Sequence, residues 1–186
     1  MQRSRPDDGN VWKGLAVGVA GGLLASLAMN QVQGLMKKAL RKGSSGGEQH
    51  SADRGEGKSA EGERHEGGGE DATVKTASAI SEGVFHHPLT KKEKKVAGPA
   101  LHYALGAVLG GLYGALAELD TRVTRGAGVP FGTAVWLAAD EVAVPGFHLS
   151  PPPTKTPAST HAQAFAAHVV YGLTTDVVRR TLRRVM

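Results

Sequence analysis

Seven ionisable side chains stand inside or at the edges of apolar stretches of this chain: His102, Glu118, Asp140, Glu141, His161, His168 and Asp176. A charge at apolar depth is costly, so such groups face a protein interior and often carry function. Two chemistries suit them. Neutral imidazoles and carboxylates are ligands for divalent metal ions. Imidazoles also titrate near neutral pH, so histidines beside acids can relay protons. His161, His168, Gly172 and Thr175 fall on one helix face, because seven residues is close to two turns, and Asp176 lies next to that face. The buried polar site expected from this pattern is His102, Asp140, Glu141, His161 and His168. The plainer reading is that these groups hydrogen-bond between helices or meet water at helix ends. The water boundary suits Glu118, His161 and Asp176, which sit near predicted helix ends.

Other chemistries find no support. The chain has no cysteine, which removes disulfides, thiolate catalysis and cysteine-ligated metals. It contains no H-E-x-x-H metal motif, P-loop or dinucleotide fingerprint. No nucleophile–base constellation can be assembled either, so neither an enzyme nor a cofactor is expected. His50, His65, His86 and His87 lie in or near a polar stretch and read as solvated.

The elements that must position these residues follow from composition. The apolar runs are built mostly of Ala, Gly, Val and Leu, with 26 glycines in 186 residues and few aromatics. Small residues bury little area but let helix backbones approach closely, a habit of membrane helices. The net charge of +5 is concentrated at the ends of these runs, at Lys37, Lys38, Arg41 and Lys42, at Lys91, Lys92, Lys94 and Lys95, and at Arg179, Arg180, Arg183 and Arg184. Basic clusters flanking apolar runs mark membrane boundaries. No aromatic residues are interleaved with them, so nucleic acid is not an expected partner. The lipid bilayer is.

Residues 1–10 form a polar tail. Residues 11–42 read as a first transmembrane helix with its basic flank. The apolar part, Val11 to Met36, would extend about 39 Å, against a hydrocarbon core of about 30 Å. Ser26-Leu27-Ala28 offers a tolerable signal cleavage site, but the periodic pattern continues past it through Asn30 and Gly34, which favours a retained helix. Residues 43–73 are rich in Gly, Ser and Glu and predict a disordered acidic linker. Residues 74–186 form a helical membrane domain. Its expected parts are an amphipathic surface helix over 74–85, with Val74, Ala77, Ile80, Val84 and Phe85 at helical spacing, and helices over 91–119, 129–144 and 160–184. Capping boxes at Thr90/Glu93 and Thr160/Gln163 open the first and last of these. Pro99 predicts a kink and Pro130 a first turn, while Pro145 closes the third run. Pro151, Pro152 and Pro153 make an extended connector. The expected fold is therefore all-α, a small membrane bundle of four hydrophobic helices with a disordered linker after the first.

Two helices carry small-residue ladders at every fourth position: Gly14, Gly18, Gly22, Ser26, Asn30 and Gly34, and His102, Gly106, Gly110, Gly114 and Glu118. A glycine inside a helix costs about 1 kcal/mol relative to Ala in water, so Gly14, Gly18, Gly22, Gly106, Gly110 and Gly114 must earn their place by close helix packing. The pattern leaves open whether the partner helix is in the same chain or in a second copy, as in a homo-oligomer. The basic flanks place both the linker and the C-terminus in the cytoplasm, which requires one later run not to cross. The third run, short and carrying Asp140 and Glu141, is the expected re-entrant one.

The segments His102-Tyr103-Ala104-Leu105-Gly106 and Gly114-Ala115-Leu116-Ala117-Glu118 resemble the YagU-like family of bacterial inner-membrane proteins of unknown function. So do Gly128 to Gly132 with Trp136, Asp140-Glu141 and Pro145, and Ser159-Thr160-His161 with His168 to Gly172 and Arg179-Arg180. The resemblance covers residues 11–36 and 85–182, implies a multi-pass location in the bacterial cytoplasmic membrane, and implies no reaction. Three functions stay in competition: an envelope protein that assembles through its helix faces, a small transporter or proton- or metal-handling protein, and a soluble Ala/Gly-rich binding module.

Overall fold

The computed structural model describes residues 8–44 and 68–186, and every regular element among them is helical. Helix α1 spans Asp8–Ser44, α2 Gly68–Phe85 and α3 Lys91–Leu119. After a 3-10 turn at Thr121–Thr124 comes α4, Val129–Trp136, which continues as a π-helical segment over Leu137–Ala143 and ends in α5, Val144–Gly146. A 3-10 turn at Pro153–Lys155 leads to α6, Ala158–Val185. The N-terminal tail up to residue 7 and linker residues 45–67 lie outside the described residues, whereas residues 68–73, read as linker from composition, belong to α2.

Local chemistry accounts for most boundaries. Thr90 caps α3 through both arms of its box: Glu93 N donates to Thr90 Oγ1 at 3.3 Å and Thr90 N donates to Glu93 Oε2 at 2.7 Å. At α6 the expected box does not form. The N-cap is Pro157, without a side-chain cap, and Thr160 lies inside the first turn. Pro157 lacks an N–H and fixes φ, so it sets the boundary before Thr160 can. Pro145 does not end the third run, which passes through it to Gly146. The wider π turn before Pro145 relieves the ring's clash with the preceding turn. On α2, the buried residues are Ala72, Ala77 and Ser81, while Ile80, Val84 and Phe85 are exposed, so the packed face is displaced from the expected one.

The glycine ladders meet each other. α1 and α3 run antiparallel with Gly14 against Gly114, Gly18 against Gly110 and Gly22 against Gly106, so close that a Cβ at any of these six positions would strike backbone or side-chain atoms of the other helix. These six glycines thus meet a partner helix within the same chain. α6 packs on the other flank of α1, with Gly21 on Thr175, and α4 packs antiparallel to α6 through Gly128 and Gly132 on Gly172 and His168. Gly128, at φ 81°, occupies the left-handed region as the N-cap of α4, where a side chain would also meet the Gly172 carbonyl.

Because α3 and α6 both run against α1, they are parallel to each other: Gly106 lies by Tyr171, Tyr113 by Asp176 and Glu118 by Arg183. The lysines opening α3 and the arginines closing α6 stand at opposite ends of the bundle. A membrane crossed by both helices would part these clusters, whereas the expected topology puts them on one side.

Burial is inverted relative to a water-soluble bundle. In α3 the buried residues are Gly98, Gly106, Gly110, Gly111, Tyr113, Gly114 and Ala117. Leu105, Val108, Leu112 and Leu116 face outward. In α1 Ser26 is buried while Leu23, Leu24 and Leu27 are exposed, and in α6 His168, Thr175 and Asp176 are buried while Leu173 and Val177 are exposed. Among the described residues, two helices, Asn10–Leu40 and Lys91–Leu119, are long and apolar enough to cross a membrane. α6, with Gln163, His168, Asp176 and four arginines in its sequence, is not among them.

Candidate functional site

The π-helical segment carries two consecutive acids, and each meets a histidine of α6. Glu141 Oε1 lies 2.5 Å from His161 Nδ1. Asp140 Oδ2 lies 3.6 Å from His168 Nδ1, and that nitrogen donates to the Ala164 carbonyl oxygen at 2.9 Å. A regular α-helix turns neighbouring residues about 100° apart. The wider π turn changes that phase, and π-bulges recur at functional sites for this reason. His161 is held a second time, Nε2 to the Pro153 carbonyl oxygen at 3.1 Å. Trp136 stacks edge-on against Phe165, ring centroids 5.3 Å apart, one turn closer to the bundle centre.

His102 enters from α3. Its Nε2 is buried without a hydrogen-bond partner, and it interacts electrostatically with His168. The structure therefore draws the five expected residues toward one end of the bundle as two imidazole–carboxylate pairs with a further histidine behind them. Among the described residues no group of three or more His, Asp or Glu side chains is arranged to hold a metal ion. The two pairs differ: Glu141 and His161 are at hydrogen-bond distance, whereas Asp140 and His168, at 3.6 Å, form a charge pair only, because His168 Nδ1 is taken by the Ala164 carbonyl. His161 lies outside both apolar helices named above. Its two ring nitrogens are both engaged, by Glu141 and by the Pro153 carbonyl.

A second polar cluster stands at the opposite end, where Glu118 and Asp176 were open to meeting water at helix ends. Asp176 is instead fully buried and accepts a hydrogen bond from Tyr113 at 2.9 Å. Arg180 Nε approaches its other oxygen at 2.7 Å. Glu118 takes two parallel hydrogen bonds from Arg183, Nε and Nη2 each at 2.8 Å, and Arg179 lies 3.5 Å from the same carboxylate. The signal was present: Asp176, Arg179, Arg180 and Arg183 follow the i, i+3, i+4, i+7 rhythm of one helix face. Between the clusters, the Tyr171 hydroxyl donates to the Gly106 carbonyl at 2.7 Å and the Thr175 hydroxyl to the Tyr171 carbonyl at 2.8 Å. These hydroxyls are committed to backbone, so they do not link the two clusters.

An open groove of about 350 Å³ between α3 and α4 is lined by Leu109, Phe131, Ala134, Val135, Ala138 and Ala139. Its walls offer no group for chemistry. A family model described as "Protein of unknown function (DUF1440)" matches residues 80–177, just over half of the chain. No curated protein and no solved structure matches it.

Proposed function

The chain belongs to the DUF1440 family, whose function is unknown, and from that premise we propose that it is an integral, multi-pass protein of the bacterial cytoplasmic membrane, similar to the YagU-like proteins. The observation that carries this reading is the inverted burial. Tyr113, Thr175, Asp176 and Ser26 are the largest fully buried side chains, while Leu, Val and Phe cover the outside. In water such a surface would cost roughly 25 cal/mol for every Å² of apolar area left exposed. In lipid the cost disappears, and close packing of small residues with internal polar contacts is what holds helices together. Orientation follows from the lysines. Lys37, Lys38, Lys91, Lys92 and Lys94 at the linker end support a cytoplasmic side for that end. The competing arginine cluster is a weaker signal, since Arg179, Arg180 and Arg183 are paired with acids of the fold.

A second reading, a proton-handling membrane protein, is favoured by one specific observation: two acids on a π-helical segment facing two histidines. Fractionation of cells expressing the full chain tests the membrane reading. We expect the protein to stay in the pellet through an alkaline carbonate wash and to leave it only with detergent. Release by carbonate or salt would refute membrane integration.

A further inference from the structure

Both ring nitrogens of His161 face oxygen acceptors: Glu141 Oε1 at Nδ1 and the Pro153 carbonyl at Nε2. A carbonyl only accepts, so Nε2 carries a hydrogen. The contact between Nδ1 and Oε1, at 2.5 Å, then needs a hydrogen of its own, residing on either partner. A neutral imidazole has one N–H and an ionised carboxylate has none. The pair therefore holds one proton more than those two ordinary forms together, a count that follows from geometry alone.

We infer that Glu141 and His161 form a proton-operated clasp, in which one bound proton fastens the π-helical segment and the Pro153–Lys155 turn to the first turn of α6. Loss of that proton sets two lone pairs against each other and opens the contact. The groups that bear on it come from each neighbouring element. Asp140 stands beside Glu141 on the π segment, and His168 on α6 pairs with Asp140. His102 on α3 acts through His168, and the carbonyls of Pro153 and Thr156 come from the connector. The proton count fixes the sign: the extra proton shared by Nδ1 and Oε1 is held as pH falls through the imidazole titration and is lost as pH rises through it. The clasp is closed in acid and open in alkali.

Trp136 reports on the clasp. It sits one turn from Glu141, against Phe165 of α6, and the other tryptophan, Trp12, lies near the far end of the bundle. The test uses the full-length Trp12→Phe protein in detergent micelles, followed from about pH 5 to about pH 9 by Trp136 emission and by the histidine NMR resonances. We expect His161 to titrate above the ordinary imidazole value and Trp136 emission to change with the same midpoint. Glu141→Gln should move His161 downward and abolish the matched emission change. The unsubstituted clasp decides the matter even if that variant misfolds. His161 titrating at or below the ordinary value would overturn the inference, as would a flat Trp136 signal while His161 titrates. All these contacts lie within one chain, so the result stands apart from the outcome of membrane fractionation.

Discussion

Asp176 has no exposed surface and lies between a tyrosine hydroxyl and two arginines. Two charges out of water gain from each other only when both are present. Removing one leaves the other stranded, at a cost of about 3–5 kcal/mol. Asp176→Asn should therefore lower stability by an amount in that range, read by chemical denaturation in detergent. A loss under about 1 kcal/mol would mean that Arg179 and Arg180 find other partners. Residue types and spacing made the His and acid positions legible, because His161 and His168 share a face in any helix. Their pairings were not legible. Which acid meets which histidine depends on the phase of the π segment, and a run of Leu137 to Ala143 carries no local mark of a π turn. Asp176 was misplaced for a related reason: position near a helix end was taken as exposure, while the neighbouring α3 supplies Tyr113 to cover it.

At the scale of the elements, the glycine ladders predicted close packing and the antiparallel α1–α3 pair fulfils it within the chain. Sequence periodicity identifies a face but not what it meets, so the same stripe was compatible with a second copy. Two substitutions separate packing from propensity. A Cβ on Gly18 would collide with the Gly110 carbonyl, whereas a Cβ on Gly34 meets nothing within 4 Å. Gly18→Ala should destabilise the bundle by about 1–3 kcal/mol through overpacking. Gly34→Ala should stabilise it by up to about 1 kcal/mol through helix propensity. Thermal unfolding of both variants beside the parent checks the pair. Equal effects would remove the close α1–α3 contact from the account. The two capping signals show how context selects among local rules. Thr90 is preceded by Leu89 and caps its helix, but Thr160 follows Pro157, whose ring fixes the start three residues earlier.

Across the described residues, many large apolar side chains face outward, glycines line the α1–α3 contact, and basic clusters stand at both ends of the bundle. The all-helical class and the long apolar helices were readable from composition and hydropathy. The arrangement of the ends was not, because charge-counting treats every arginine alike, and Arg179, Arg180 and Arg183 belong to ion pairs inside the fold. The central claim is that a bilayer separates the lysine end from the arginine end. The chain has no cysteine, so single thiols can be placed at will. Glu82→Cys on α2 marks the lysine end and Thr121→Cys the arginine end, both at exposed positions. In sealed vesicles of one orientation, a membrane-impermeant thiol reagent should modify one of the two and reach the other only after the vesicles are opened. Modification of both in sealed vesicles would place the two ends in the same compartment and contradict the account.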